Sequence, residues 1–153
     1  MAIVDLYEDD FYVWTQEQAA ALRAAAKAGG KSNAVEWERV AEEVEDVGNS
    51  QYFAVRSLVR QIVAHLFKLA WSSVPEPRAG WRSEVATFRA DASDRMTATI
   101  RAKVEADLER LHSDAFKAAG ASFDSHEPGA PRDGALRWTL PQILGEADDP
   151  LEG

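Results

Sequence analysis

The sequence EWERVAEEVEDVGNSQYFAVRSLVRQIVAHLFKLAW, residues 36–71, decides the fold class of this chain. Its first part is acidic with apolar residues at helical spacing, and its second part carries a wider apolar arc of the same period. Gly48-Asn-Ser separates the two parts, and glycine is unfavourable inside a helix. The pattern predicts two helices joined at Gly48, and an α-helical protein built by helix packing.

The two predicted helices present their apolar residues differently. The first has a stripe of Trp37, Val40, Ala41, Val44 and Val47, which leaves Glu42 and Asp46 on the outward side. In the second, the arc is broad enough to contact more than one neighbouring helix, so it is predicted to be the main core element. That arc consists of Val55, Leu58, Val59, Ile62, Val63, Leu66, Leu69 and Ala70.

Helices are also predicted before and after this stretch. The first begins at Asp9 or Asp10, whose carboxylate can cap free N–H groups, and ends at Gly29-Gly30. One helix over 79–119 would be about 60 Å long, whereas a compact domain of this size has a radius of gyration of about 15 Å. A break within Asp91–Asp94 is therefore predicted, giving antiparallel helices over 80–92 and 95–119.

A capping box near the end of the chain predicts a short helical turn. Thr139 is its cap, Pro141 fits its first turn, and Gln142 lies at the capping-box spacing. The prediction for the whole chain is an all-α fold: a single domain over residues 1–145, a bundle of about five helices with this C-terminal turn. Residues 146–153 are predicted to be a mobile acidic tail.

Composition limits the classes of function. The chain has 153 residues, 46% of them hydrophobic, which suits one globular domain with a core. No run approaches the roughly 18 apolar residues of a membrane span, and the N-terminus is acidic where a signal peptide is basic. Cysteine is absent, so thiolate metal sites and cysteine nucleophiles are excluded. A soluble, cytoplasmic protein without membrane contact is expected.

Charge is distributed unevenly over a net value of −9. Residues 1–50 hold 11 acidic and 4 basic side chains, whereas residues 51–119 hold 8 and 11. An acidic surface repels phosphate backbones, so nucleic acid is not an expected partner. The basic middle can face the acidic N-terminal third, within one chain or across a homodimer; ordinary solvated helix faces are the alternative.

Several motifs, in order along nearly the whole chain, resemble a bacterial family known as a domain of unknown function, number twenty-nine in its series. They are Asp5-Leu-Tyr7, Asp10-Phe-Tyr-Val-Trp14, Trp37-Glu38, Val40-Ala-Glu-Glu-Val-Glu-Asp-Val-Gly48, Leu58-Val59, His65-Leu-Phe-Lys-Leu69, Trp81-Arg82 and Leu140-Pro-Gln-Ile-Leu144. The resemblance implies a small, all-helical, cytoplasmic bacterial protein. It implies no activity, cofactor or catalytic residue.

Carboxylates and histidines are the candidates for metal chemistry, because both residue types suit Mg, Mn, Fe or Zn. Glu38 or Glu45 meets His65 if the two central helices form an antiparallel hairpin. The alternative is a solvated acidic face with His65 bound to a carboxylate or a carbonyl. Glu109 and His112 have the Glu-x-x-His spacing of di-iron bundles, but the second such pair is missing.

Aromatic residues are the candidates for partner binding, because they dominate binding hot spots. Tyr7, Tyr12 and Trp138 lie off the clear apolar stripes and are predicted to form an exposed patch. By contrast, Trp14, Trp37 and Trp81 open or occupy helix stripes and are predicted to fill the core.

Three functional hypotheses follow. The leading one is a non-enzymatic protein-interaction or scaffold module, either a homodimer or the partner of another protein. The alternative is a metal-binding bundle or metal-dependent enzyme that uses Glu38, Glu45 and His65, and the sequence identifies no cofactor. A third hypothesis, which the sequence neither supports nor excludes, is an apolar ligand pocket beneath the predicted helix that carries the arc from Val55 to Ala70.

Overall fold

A computed structural model describes residues 4–29 and 32–152 of the chain. This part of the chain contains no strand and seven helices: α1 Leu6–Asp9, α2 Phe11–Ala28, α3 Trp37–Trp71, α4 Pro75–Arg95, α5 Ala98–Ala106, α6 Leu108–His126 and α7 Leu140–Leu144. Five of these helices have nine residues or more, which confirms the all-α fold class. The short helix α7 is the predicted C-terminal turn. None of the described helices has both the length and the apolar character needed to cross a bilayer.

Local hydrogen bonds form the helix ends that the sequence signals. The Asp10 carboxylate accepts a backbone N–H from the first turn of α2 at 3.1 Å. The same helix ends before Gly29, whose φ of +71° is in the region that favours glycine; Gly30 lies outside the described residues. Thr139 and Gln142 form the predicted capping box of α7. These predictions are confirmed.

Helix α3 is continuous where the sequence predicts two helices. Gly48 lies inside it and is buried, and a Cβ at this position would lie 2.0 Å from Oγ1 of Thr15. The missing side chain lets α2 and α3 approach closely, which offsets the cost of a helical glycine, about 1 kcal/mol. The predicted break at Gly48 is wrong, because the glycine serves helix packing rather than chain reversal.

The helix boundaries after α3 also differ from the prediction. Proline suits the first turn of a helix, where no N–H is needed, and α4 begins at Pro75. It then continues to Arg95, through the predicted break at Asp91–Asp94. The break comes later because Thr97 caps α5, its hydroxyl accepting the Ile100 N–H at 3.1 Å. A second break at Asp107 separates α5 from α6. A break in the stretch 79–119 is therefore confirmed, but its predicted position and the single helix over 95–119 are wrong.

The chain divides into two compact units, and the first comprises Met1–Ala54 with Met96–Ala102. Few of its described residues are fully buried, and most of these are small: Thr15, Ala19, Ala41, Gly48 and Ile100. Small residues let helices pack closely but bury little apolar area. The first unit therefore has tight contacts between α2 and α3 and only a thin core.

The second unit comprises Val55–Arg95 with Lys103–Gly153 and contains a larger core. The second half of α3 is central to it, as the broad arc predicts, although Leu58 is partly exposed and Ala70 is exposed. Buried residues from α4, α6 and α7 complete this core, among them Val85, Leu111, Ala115, Phe123, Leu140 and Ile143.

Residues beyond α7 contact α4 of the same unit. Arg89 donates two hydrogen bonds of 2.9 Å to the Asp149 carboxylate, and Arg82 donates one of 2.7 Å to the Leu151 carbonyl. Motion of this segment requires that these contacts break. The domain boundary at residue 145 and the mobility of residues 146–153 stay predictions.

Candidate functional site

The first half of α3 carries an apolar surface that stays exposed among the residues that the structure describes. Val40 and Val47 are 40% and 46% exposed, and Val44 between them is partly exposed. Their spacing of four and three residues places them on one side of the helix. Together with Ala34 and the 37% exposed Val35, they line an open groove of about 590 Å³, called the valine groove below.

The side of α3 that packs on α2 explains why the valines remain outside. Ala41 is fully buried, and Gly48 touches Thr15 at a distance that admits no side chain. Gln16 of α2 also donates a hydrogen bond to the Glu45 carbonyl at 3.3 Å. Close packing through small residues uses one side of α3 and leaves the bulkier valines on another. The helical period predicts Val40 and Val47 on an inward stripe, and that prediction is wrong because both side chains are exposed.

Charged residues border the valine groove, and most of them are acidic. Glu36, Glu43 and Arg39 line it, and Arg39 pairs with Glu36 at 3.2 Å while both side chains are largely exposed. The whole first unit holds eleven Asp and Glu against five Lys and Arg. The groove is thus an apolar strip with acidic flanks.

The candidate metal ligands of the first unit bind an arginine. Arg23 of α2 contacts the Glu45 carboxylate at 2.5 Å and the Glu38 carboxylate at 3.8 Å. Two carboxylates that share one guanidinium are held by charge pairing within the helix pair. This contact tightens the same α2–α3 packing that exposes the valines.

His65 lies in the second unit, on the continuous helix α3. Its Nε2 contacts the Glu84 carboxylate of α4, its ring meets Phe88 edge-on, and its buried Nδ1 has no hydrogen-bond partner. A contact of His65 with Glu38 or Glu45 requires an antiparallel hairpin, and this hairpin is not formed because α3 is continuous. Among residues 4–29 and 32–152, no group of three or more His, Asp or Glu side chains is placed to hold a metal ion.

Glu109 and His112 face different partners. Glu109 accepts three hydrogen bonds of 2.8–3.2 Å from Arg137. His112 is 2% exposed; its Nδ1–H donates to the Leu108 carbonyl at 2.9 Å, and its Nε2 accepts the Trp138 N–H at 3.1 Å. This bonding suits a neutral imidazole, which fixes the segment before α7 against α6.

Burial of His112 predicts a pH effect on stability. Burial is the main cause that lowers its pKa, aided by the Arg137 charge and opposed by the Leu108 carbonyl and by Glu109. The unfolded chain therefore binds a proton at a pH where the folded chain does not. Stability from this group is complete above about pH 6.5 and falls as the pH drops below it, by at most about 1.4 kcal/mol per pH unit.

Urea unfolding between pH 8 and 5 tests this expectation. The variant His112→Gln keeps polar atoms at the site and cannot titrate, so its stability should fall less steeply than that of the wild type from pH 7 to pH 5. All other titratable residues are the same in both proteins, so the difference between the two slopes reports the substitution at His112. Equal slopes for the two proteins would contradict the assignment.

The aromatic residues predicted to bind a partner lie in different surroundings. Tyr7 is 51% exposed and meets Phe11 and Trp14 edge-on, with ring centroids 5.4 and 4.9 Å away. Tyr12 is partly exposed, and so is Trp138, which stacks on His112 at 6.0 Å. Their role in partner binding stays a prediction.

The tryptophans predicted for the core are less buried than expected. Trp14, Trp37 and Trp81 are each partly exposed, whereas Trp71 is 6% exposed and packs against Phe67 and Phe123.

The sequence does contain one signal for the packed side of α3, which is the pair of small residues Ala41 and Gly48.

Comparison with known proteins gives a family and a similar fold. The family described as "Domain of unknown function DUF29" matches residues 6–147, which confirms the resemblance found in the motifs. A solved crystal structure, that of an alpha-helical protein of unknown function from Rhodospirillum rubrum ATCC 11170, is similar with 28% sequence identity and a TM-score of 0.85. The likeness covers 98% of this chain and 96% of that one. A search of curated proteins gives no match.

Proposed function

Since the chain belongs to the DUF29 family, whose description assigns no activity, we propose that it is a cytoplasmic protein-interaction module without catalytic activity. Its valine groove binds an amphipathic helix of a partner protein. The bound helix carries an apolar stripe between basic flanks.

The observation that best supports this proposal is the exposure of Val40 and Val47 on one side of α3, while another side of the same helix packs on α2. A row of apolar residues at this spacing is what a second helix contacts when it lies along the first. Contiguous exposed apolar surface on a soluble protein marks a binding surface. The thin core of the first unit adds support, because a bound helix would bury area that α2 and α3 leave open.

Charge complementarity selects the partner's chemistry. The groove is flanked by Glu36 and Glu43, and the first unit as a whole is strongly acidic. Basic residues on the partner helix would be attracted to these flanks, whereas a second acidic helix would be repelled. Binding should therefore weaken as the salt concentration rises.

Designed peptides test the proposal directly. Two helical peptides share one leucine stripe, and one has lysine flanks while the other has glutamate flanks. The lysine peptide should bind, and Val40→Asp with Val47→Asp should weaken this binding at least about tenfold, since truncating a buried apolar anchor costs more than 1 kcal/mol. The added aspartates strengthen attraction to lysine, so the loss reports the apolar contact.

Val74→Asp is the matched control. Val74 is 41% exposed, close to the 40% of Val40. It lies in the connection between α3 and α4, outside the valine groove. It should leave peptide binding unchanged. Sedimentation of the full chain gives the oligomeric state, and self-association abolished by the groove variant alone would make a second copy the occupant. A monomer that binds neither peptide would disprove the proposal.

A further inference from the structure

The second unit contains a cavity of about 360 Å³ beside the last turns of α3. This is within the size range of small-ligand pockets, which begins near 300 Å³. Leu66 and Leu69 of α3 line it together with Trp138, whose ring is held by stacking on His112. The wall is therefore largely apolar and partly aromatic.

Two arginines of α4, Arg78 and Arg82, bring positive charge to this apolar cavity. Arg78 donates to the Leu69 and Ser72 carbonyls, and Arg82 donates to the Leu151 carbonyl. Neither has a carboxylate within 4.0 Å among the described residues. Seven other arginines do have such a partner: Arg23, Arg39, Arg56, Arg89, Arg110, Arg132 and Arg137.

Asp149 is a carboxylate that the Arg82 charge influences, and it is already bound by Arg89. The Asp149 carboxyl has a lowered pKa chiefly because Arg89 binds it, with a smaller contribution from the Arg82 charge. Asp149 is held by two hydrogen bonds of 2.9 Å from Arg89. The guanidinium groups at the cavity thus keep capacity for an anion, and guanidinium binds carboxylate through paired hydrogen bonds.

The chain itself shows which chemistry fits. Leu151 lines the cavity and places its carbonyl oxygen 2.7 Å from Nη1 of Arg82. The lining of the cavity therefore already includes an oxygen acceptor bound to Arg82 beside an aliphatic side chain. A ligand with the same two features, and a full negative charge on the oxygens, would satisfy both arginines.

The geometry points to a binding site for a linear aliphatic monocarboxylate. The carboxylate lies between Arg78 and Arg82, and the aliphatic chain lies along Leu66, Leu69 and Trp138. This site is independent of the valine groove, because all of its residues belong to the second unit.

Isothermal titration of the full chain with octanoate is the test. Octanoate should bind saturably, affinity should rise from hexanoate to decanoate, and octanamide should bind at least about tenfold more weakly, because it lacks the charge that strengthens the hydrogen bonds. Arg82→Met should weaken the binding of octanoate by a similar factor. Arg82 is exposed and its described hydrogen bond is the one to Leu151, so this variant should fold.

Arg110→Met is the matched control. It removes one positive charge from the same unit, at a side chain that is 71% exposed and lies outside the cavity. It should bind octanoate as the wild type does. Absence of saturable binding below about 1 mM, equal affinity for octanamide, or equal loss in both arginine variants would overturn the proposal. Binding confined to peptides that end in a leucine carboxylate would also overturn it, since the occupant would then be a protein terminus.

Discussion

Arg89→Met should lower the free energy of unfolding by about 3–5 kcal/mol, because removing one partner of a largely buried ion pair leaves the other charge unpaired. Arg89 and Asp149 have side chains 15% and 16% exposed and form two parallel hydrogen bonds. Arg89 also donates to the Ile143 and Gln142 carbonyls at 2.9 and 3.2 Å. One side chain thus joins α4 to the end of α7 and to the residues beyond it.

Urea and thermal unfolding measure this loss, and the midpoint temperature should fall by about 6–20 °C. Arg110→Met is the control, since its partner Asp114 is 4.0 Å away on an exposed helix surface; such pairs contribute about 0–1 kcal/mol. Arg89→Lys should recover only part of the stability, because lysine lacks the planar fork. If Arg89→Met unfolds like Arg110→Met, the contact does not stabilise the second unit.

Gly48→Ala should destabilise the protein by about 1–3 kcal/mol, because it overpacks a close helix contact. Helix propensity alone predicts the opposite sign, a gain of about 1 kcal/mol. The clash prevails because the new Cβ would lie 2.0 Å from Oγ1 and 3.1 Å from Cβ of Thr15. Cβ of Thr15 is fixed to the backbone of α2, and Oγ1 is held by the hydrogen bond that it donates to the Tyr12 carbonyl at 2.7 Å, so moving them is costly.

Gly80→Ala provides the matched control, since Gly80 also lies inside a helix and a Cβ there meets nothing within 4 Å. It should stabilise the protein by about 0.5–1 kcal/mol. In a Thr15→Ala background the Oγ1 clash is gone, so the cost of Gly48→Ala should shrink. Equal effects of the two glycine substitutions in the wild type, measured by urea unfolding, would show that α2 and α3 are not in close contact.

Gly48 also shows why sequence patterns misplaced a helix boundary. A Gly-Asn-Ser run commonly marks a turn, and nothing within a few residues distinguishes that use from a packing use. The deciding contact is with Thr15, 33 residues earlier in the chain. A prediction from local pattern has no access to such a contact, so it treated one helix as two.

The valine groove illustrates a second limit. Periodicity shows that Val40, Val44 and Val47 share one side of α3, and this is correct. It does not show which side of the helix a neighbour covers. Ala41 and Gly48 lie on the covered side because their small size permits close approach, and hydrophobicity alone ranks them below the valines.

The sequence by itself determined the all-α class, the family motifs, the Asp10 cap of α2 and the capping box at Thr139. These features depend on composition, on period and on hydrogen bonds between near neighbours. Tertiary structure alone decided the continuity of α3, the exposure of its valines, and the pairing of Arg89 with Asp149 across 60 residues. The physical reason is that helix packing and ion pairing depend on distances between residues far apart in the chain, which only the folded backbone sets.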